Sequence, residues 1–393
     1  MPSDNRTTIL HLLNSLDAGG TERVLTEFLR AAGSNRLRHL VVTLRRAGSL
    51  AERLPPDVAC HALDVAGKSL TSWMKLARVA RRHKADVIHA RGTGGWMDAI
   101  LASRACPGTR LVLGFHGFET PTAWTLRKRM VARLGSLAGA SFVSVSRSGV
   151  TQLMTECGVS ATRVDWLPNG VCLERFAPRA EADVAATRAR FGLPPNAVVV
   201  GTVASLTPIK RLDVLIRAAA ILSAGIDRLH LLIVGDGPLR TDLLDLARSV
   251  GIGDHVHFAG WQADIADLLQ AIDVYVCSSD SEGMSNALLE AMAAARPIVA
   301  TDVGDNAILL DQGRAGYLIP PASPEKLAAA ISELLSRPKN RDELAQAALR
   351  QAQGFDFRRT VQAHERYYAA LADAPISYSC PPTKAEFAVP GST

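Results

Sequence analysis

AVVVGTVASLTPIKRLDVLIRAAAILSAGIDRLHLLIVGDGP, residues 197–238, reads as strand, helix, strand. Its two ends are continuous runs of Val, Leu and Ile closed by Ser, Gly, Asp and Pro. Its middle, RLDVLIRAAAIL, repeats apolar residues at three- and four-residue spacing. Strands that are apolar throughout, rather than alternating, belong to a sheet covered on both faces, which is how parallel strands joined by helices are packed. Outward from this stretch the unit recurs. HVHFAGW, DVYVCSS and RPIVATDVG are further strands, separated by the helical runs LLDLARSV, DIADLLQAI and the segment 281–297. Toward the N-terminus, ILHLL, LRHLVVTLRR, ADVIHA, RLVLGFHG and ASFVSVS repeat the alternation, with KLARVARRHK as a basic amphipathic helix. The expected class is α/β: two doubly wound Rossmann-like domains facing across a cleft. The first is expected over 1–178 and the second over 179–355. The prolines and charges of 176–188 read as a linker, and the tail 374–393 as disordered.

The chain has 393 residues, 48% of them hydrophobic, and a formal net charge of +6. That balance suits an anionic partner such as a nucleotide, an acidic lipid surface or nucleic acid. Positive charge is dispersed and no nucleic-acid-binding module is visible, so nucleic acid is not the expected partner. No apolar run is long enough to span a bilayer, and no leader peptide is read at the N-terminus. The six cysteines are scattered without metal-ligand spacing, as in a reduced, cytoplasmic protein. Neither a metal nor a cofactor is expected.

In open parallel sheets ligands sit beyond the carboxyl ends of the strands, so loops at strand ends are the candidate sites. DAGGTERV places Gly19 and Gly20 before a helix that Thr21 can cap. The loop is either a backbone-amide cradle for a phosphate or hydroxyl, or a plain tight turn. His116 in GFHG stands at a strand end between glycines, suited to ligand contact or proton transfer, with a structural histidine as the alternative. Lys210 and Arg211 precede a helix, where a cation opposes the dipole and calls for an anion such as a diphosphate or a nearby carboxylate, with a solvated pair as the alternative. In SEGMSNALLEAMAAARP, residues 281–297, Ser285 or Asn286 caps a helix. The amides of Gly283, Met284, Ser285 and Asn286 then point outward, Glu282 stands beside them, and Glu290 lies about two turns inside an apolar helix. Surface salt bridges are the alternative for each glutamate. LLIVGDGPLR begins like a dinucleotide fingerprint but has Arg240 where glycine is required.

Taken in order, DAGGTE, GFHG, LPNGVCLERF, VASLTPIKRLDVLI and SEGMSNALLEAMAAARPIVATDVG resemble the large retaining glycosyltransferase family 4, of GT-B fold, from about Thr8 to Leu371. The resemblance implies that Glu290 holds the ribose hydroxyls of a nucleotide-sugar, with a UDP-sugar the expected donor. It places Glu282 near the donor sugar's hydroxyls, and residues 283–286 on sugar and phosphate. Lys210 would neutralise the leaving diphosphate, His116 would lie near the donor sugar, and Gly19 and Gly20 against the diphosphate. Transfer would be retaining and metal-independent, with His116, Lys210 and Glu282 as the catalytic set and Arg211 a further donor contact. Many members carry an arginine a few residues before the lysine; Ser205, Leu206 and Thr207 stand here instead. FDFRRTVQAHERYYAALA resembles the helix that crosses back to the first domain, expected over 356–373.

The resemblance further implies a glycan or polyprenyl-linked acceptor in bacterial surface polysaccharide synthesis. Arg91 and Trp96, after the strand ADVIHA, are expected on the acceptor side. The basic amphipathic segment 121–139 is expected either on an anionic membrane surface, at the inner face of the plasma membrane, or half-buried in the first domain. A sugar-nucleotide epimerase or hydrolase of the same fold, and a catalytically silent nucleotide-sugar-binding protein, are the alternatives.

Overall fold

The structure is a computed structural model that describes residues 6–17, 19–33, 36–67, 69–117 and 124–373. The tail at 374–393 and the start of the 121–139 segment lie outside the described residues. The chain divides into two units, the first comprising residues up to 117, 124–169 and 358–373, the second 170–357.

The first unit holds seven parallel strands: β1 (Thr7–Leu13), β2 (Leu37–Thr43), β3 (Ala59–Ala62), β4 (Val87–Ala90), β5 (Arg110–Phe115), β6 (Ser141–Ser144) and β7 (Val164–Trp166). Their order is β3-β2-β1-β4-β5-β6-β7. The second unit holds six: β8 (Val198–Val203), β9 (Leu229–Val234), β10 (Val256–Gly260), β11 (Val274–Cys277), β12 (Ile298–Thr301) and β13 (Tyr317–Ile319), ordered β10-β9-β8-β11-β12-β13 and also all parallel. Every residue of β4, β6, β11 and β12 is buried, as strands covered on both faces require, His89, Ser141 and Ser144 included. The two doubly wound Rossmann-like sheets read from the sequence are both present.

In each sheet the chain first builds to one side of its first strand and then returns to build on the other. The reversal falls between β1 and β4 in one unit and between β8 and β11 in the other. Crossovers between parallel strands are right-handed, so a change of direction changes the face on which helices lie. The helix Gly20–Ala31 therefore covers one face of the first sheet. Helices Ser72–Arg82, Trp96–Ala105, Leu126–Leu137 and Arg147–Cys157 lie side by side on the other.

Two local expectations are corrected. Thr21 does not cap its helix: Gly19 is the N-cap, and Thr21 lies in the first turn. Residues 176–188 are not a free linker. They carry most of the helix Glu181–Arg190, which belongs to the second unit. Arg188 fixes it there, donating to Ala271 O (3.1 Å) and to Asp273 (3.0 Å), whose other oxygen accepts from Val199 N at 2.7 Å. The chain enters and leaves the second unit at adjacent points. Val171 N donates to Phe355 O (2.9 Å) and Phe357 N to Val171 O (3.0 Å).

The last described helix, Phe357–Asp373, buries Tyr367 and Tyr368 fully within the first unit. Tyr368 Oη accepts from Arg91 Nη2 at 3.0 Å and lies 2.7 Å from His89 Nδ1. His11 Nε2 and His39 Nδ1 are 3.0 Å apart, and the Phe28 and His364 rings meet at 5.3 Å. Burial, reinforced by the Arg91 cation, holds His11 and His89 well below the ordinary histidine value, His39 at about 4 and His364 at about 3. The folded chain keeps these four rings neutral where the unfolded chain takes up protons. Stability is then complete above pH 6.5 and falls as pH drops from 6.5 toward 4. Each proton contributes about 1.4 kcal/mol per pH unit, so the four together reach about 5 kcal/mol per unit. Thermal unfolding followed across this range should show a steep acid limb; a midpoint unchanged between pH 6.5 and 4.5 would show that the cluster is not buried neutral.

Candidate functional site

The loops after β8 and β11 are neighbours because their strands pair at the point of reversal. They are tied together through the main chain. Asp280 N donates to Ile209 O at 2.8 Å, and Ser278 Oγ to Lys210 O at 2.8 Å. Lys210 Nζ then reaches Glu282 Oε1 at 2.6 Å, and Ser279 Oγ donates to the same oxygen at 2.7 Å. The pair is largely shielded, with side chains 23% and 9% exposed. Burial works against the charge on Lys210, and the carboxylate of Glu282 outweighs it, so the amine sits above the ordinary lysine value and stays protonated.

Arg211 is placed differently from the expectation. It adopts a left-handed backbone, φ +47°, between the 3-10 turn Pro208–Lys210 and the helix Leu212–Ser223. Its guanidinium forks onto Asp213 (3.0 Å) and Asp280 (2.9 Å). Those two carboxylates hold it above the ordinary arginine value and between them engage all three of its nitrogens. Arg211 acts as a brace between the two loops.

Ser285 is the N-cap of the helix Asn286–Ala293, its Oγ accepting from Leu288 N at 3.3 Å. First-turn amides have no acceptor inside a helix, so the start at Asn286 presents donors. Met284 is buried beneath. Glu290 lies one turn in rather than the two expected, 6% exposed and engaged with other protein groups. The turn after β12 supports the same loop. Asp305 N donates to Gly283 O at 3.1 Å, and Gly304 has φ +57° with room for no side chain: a Cβ there would stand 2.2 Å from Glu282 O. The glycines of VGDGP, which imitate a dinucleotide fingerprint, also have a structural purpose. A Cβ on Gly235 would meet Ala204 O at 1.9 Å, so this glycine lets the loop after β9 lie against the loop before Lys210.

In the first unit, Gly19 and Gly20 follow β1 and open a helix. Gly19 N donates to Asp17 O at 2.7 Å, and the Glu22 carboxylate lies over the Gly19 Cα. His116 follows β5 and is half-buried. Burial, then the Arg91 cation, lowers it to about 3, so the ring is neutral at physiological pH. Arg91 follows β4 but turns inward, donating to His11 Nδ1 at 3.3 Å and to Tyr368. Trp96 corrects an expectation: it is a core residue, 1% exposed, with Nε1 donating to Gly114 O at 3.1 Å, and it lines no open acceptor face.

The sequence reading missed Ser278, Ser279, Asp280 and Gly304. The polar run CSSDSEG directly after a strand was the available signal; the service of Gly304 depends on a tertiary contact that no local pattern records.

Residues 18–175 match the model of Glycosyltransferase Family 4, and residues 195–337 that of Glycosyl transferases group 1. A D-inositol 3-phosphate glycosyltransferase 2 from Catenulispora acidiphila is 34% identical over 403 aligned residues, covering 92% of this chain and 92% of that protein. The chain belongs to glycosyltransferase family 4. Its coverage of other relatives is smaller: the D-inositol 3-phosphate glycosyltransferase of Saccharomonospora viridis is 36% identical over 49% of this chain, which spans about half (47%) of that protein's length. Among solved structures, HepE from Anabaena in complex with UDP and glucose superposes with a TM-score of 0.82 at 24% identity, over 93% of this chain and all of that one. The fold is that of GT-B glycosyltransferases.

Gly304→Ala should lower stability by about 1–3 kcal/mol, the usual cost of overpacking, because backbone and not a flexible side chain blocks the methyl. Chemical denaturation measures this; a loss below about 0.5 kcal/mol would show that the loop moves aside freely.

Proposed function

We propose that this chain transfers a sugar, with retention and without a metal, from a UDP-sugar to a glycan or lipid-linked acceptor in bacterial surface polysaccharide synthesis. The observation that carries the reading is the grouping, at the β8/β11 reversal, of a protonated Lys210, Glu282, the amide-rich helix start and the buried Glu290. The known relatives support the donor: they are named as glycosyltransferases, and HepE has been crystallised with UDP, with UDP-glucose, and with UDP and glucose.

The roles that the family resemblance implies have a physical basis in charge and hydrogen bonding. Breaking the bond to the anomeric carbon leaves negative charge on the diphosphate. A cation and amide dipoles fixed in advance stabilise that charge more in the transition state than in the bound substrate. Lys210 is charged and oriented by Glu282 before any ligand arrives. When the diphosphate approaches, Lys210 is shared with it, and Glu282 can accept from hydroxyls of the sugar. The two oxygens of Glu290 match the two vicinal hydroxyls of a ribose. His116 and the Gly19–Gly20 turn are assigned to sugar and diphosphate respectively, with His116 a neutral hydrogen-bonding group. No covalent nucleophile is assigned. The nucleotide-sugar is a substrate, and no cofactor enters.

Glu290→Ala should weaken UDP binding by about 1–3 kcal/mol in calorimetry, the worth of charged hydrogen bonds; unaltered affinity removes Glu290 from the site. Lys210→Ala should reduce turnover about 10²-fold or more while leaving uridine affinity nearly intact. Equal losses in both would assign Lys210 to folding rather than to the diphosphate. A thermal-shift series with UDP-, GDP- and ADP-sugars in chelator tests the donor, and stabilisation by another nucleotide in preference to UDP overturns that part of the reading.

A further inference from the structure

Two serines follow β11, and each holds one member of the Lys210–Glu282 pair. Ser278 and Ser279 are both 2% exposed. Ser278 Oγ donates to the main-chain carbonyl of Lys210 at 2.8 Å, and Ser279 Oγ to Oε1 of Glu282 at 2.7 Å. A serine hydroxyl has one proton to give, and here the carboxylate takes it. The oxygen of Ser279 in turn faces the Cys277 thiol at 3.8 Å, so the donors run in sequence from Cys277 through Ser279 to Glu282. Thr301, at the end of β12, fixes the base of this chain: its Oγ1 donates to Ser279 O at 2.7 Å.

The two oxygens of Glu282 are therefore unlike. Oε1 takes Lys210 Nζ at 2.6 Å as well as Ser279. Oε2 meets no donor among the described residues and is open to solvent. The terminal torsion of a glutamate is broad and roughly two-fold, so an untethered carboxylate presents either oxygen. The two holds on Oε1 also differ in kind. Lys210 is a cation whose charge an arriving diphosphate would share. The hydroxyl of Ser279 is neutral and buried, and a ligand in the crevice does not compete for it. Of the two, Ser279 is the hold that persists when the donor is bound.

We propose that Ser279 is a positioning residue for recognition of the donor sugar: it commits Oε1 of Glu282 to the protein, so that Oε2 alone accepts from a sugar hydroxyl. The proposal rests on the nucleotide-sugar reading above. A single fixed acceptor oxygen selects for a hydroxyl at one position of the sugar, because a sugar without it leaves that oxygen unpaired. Calorimetry on the whole chain, with UDP, UDP-glucose, UDP-galactose and UDP-N-acetylglucosamine, gives the ratio of each sugar nucleotide's affinity to that of UDP. Ser279→Ala should keep UDP affinity within about twofold, lower the ratio for the preferred sugar about fivefold or more, and narrow the spread among the three. Glu282→Gln should lower the same ratio, and the double variant should be no worse than Glu282→Gln alone, since Ser279 acts through that carboxylate. Ser278→Ala, which releases Lys210 instead, should weaken UDP and the UDP-sugars by the same factor and leave the ratio in place. An unchanged ratio in Ser279→Ala, losses that add in the double variant, or equal losses for UDP and UDP-sugars in Ser279→Ala overturn the proposal and leave the donor assignment standing. Failure of the unsubstituted chain to bind UDP or any of the three sugar nucleotides overturns the donor assignment, and this proposal with it.

Discussion

Right-handed crossover is the constraint on which the rest of the molecule depends. Because each chain half must change sides of its sheet to keep that hand, each sheet has one pair of adjacent strands whose following loops depart in opposite directions. Those loops cannot pack against a common helix, and a crevice opens at the strand ends. In the second unit the reversal brings Lys210 and Glu282 together, and in the first it is followed by the Gly19–Gly20 turn and by Arg91, which turns inward. The helices that cover the two faces are sorted by the same rule. It gathers four helices on the face opposite the helix Gly20–Ala31.

The Lys210–Glu282 pair shows how a charge is kept ready at such a place. An amine moved out of water tends to lose its proton, and a carboxylate close by prevents this. Ser279 holds the carboxylate, the loop after β12 holds its backbone, and Arg211 braces the adjacent turn in a conformation that few side chains tolerate. The cost of that backbone is offset by two ion pairs. Preorganisation here lies mostly in groups that do not themselves face the crevice.

Much of this was legible from the residues. The continuous apolar strands and the helical runs between them specify two parallel sheets, and Lys210, Glu282, His116 and the glycine turn are recognisable as strand-end residues. What the sequence hid is tertiary in origin. Arg211 looks like a second phosphate cation until Asp280, 69 residues away, is seen to hold it. Trp96 looks like a surface aromatic after a strand, but the helix it begins rotates it into the core. Residues 176–188 have the composition of a linker, yet the half-buried Arg188, held by Asp273 and by the carbonyls of Ala271 and Ala197, makes them part of a unit. In each case local composition was right about polarity and silent about the distant partner.

The seat of the Phe357–Asp373 helix has a bearing on how the polypeptide is made. Its Tyr368 fills a hollow lined by residues from β1 and β4, near the start of the chain. During synthesis that hollow cannot be filled until residues 357–373 have left the ribosome. The first unit to be translated is therefore the last to be completed, and the second, whose residues 170–357 are contiguous, has the chance to close before it.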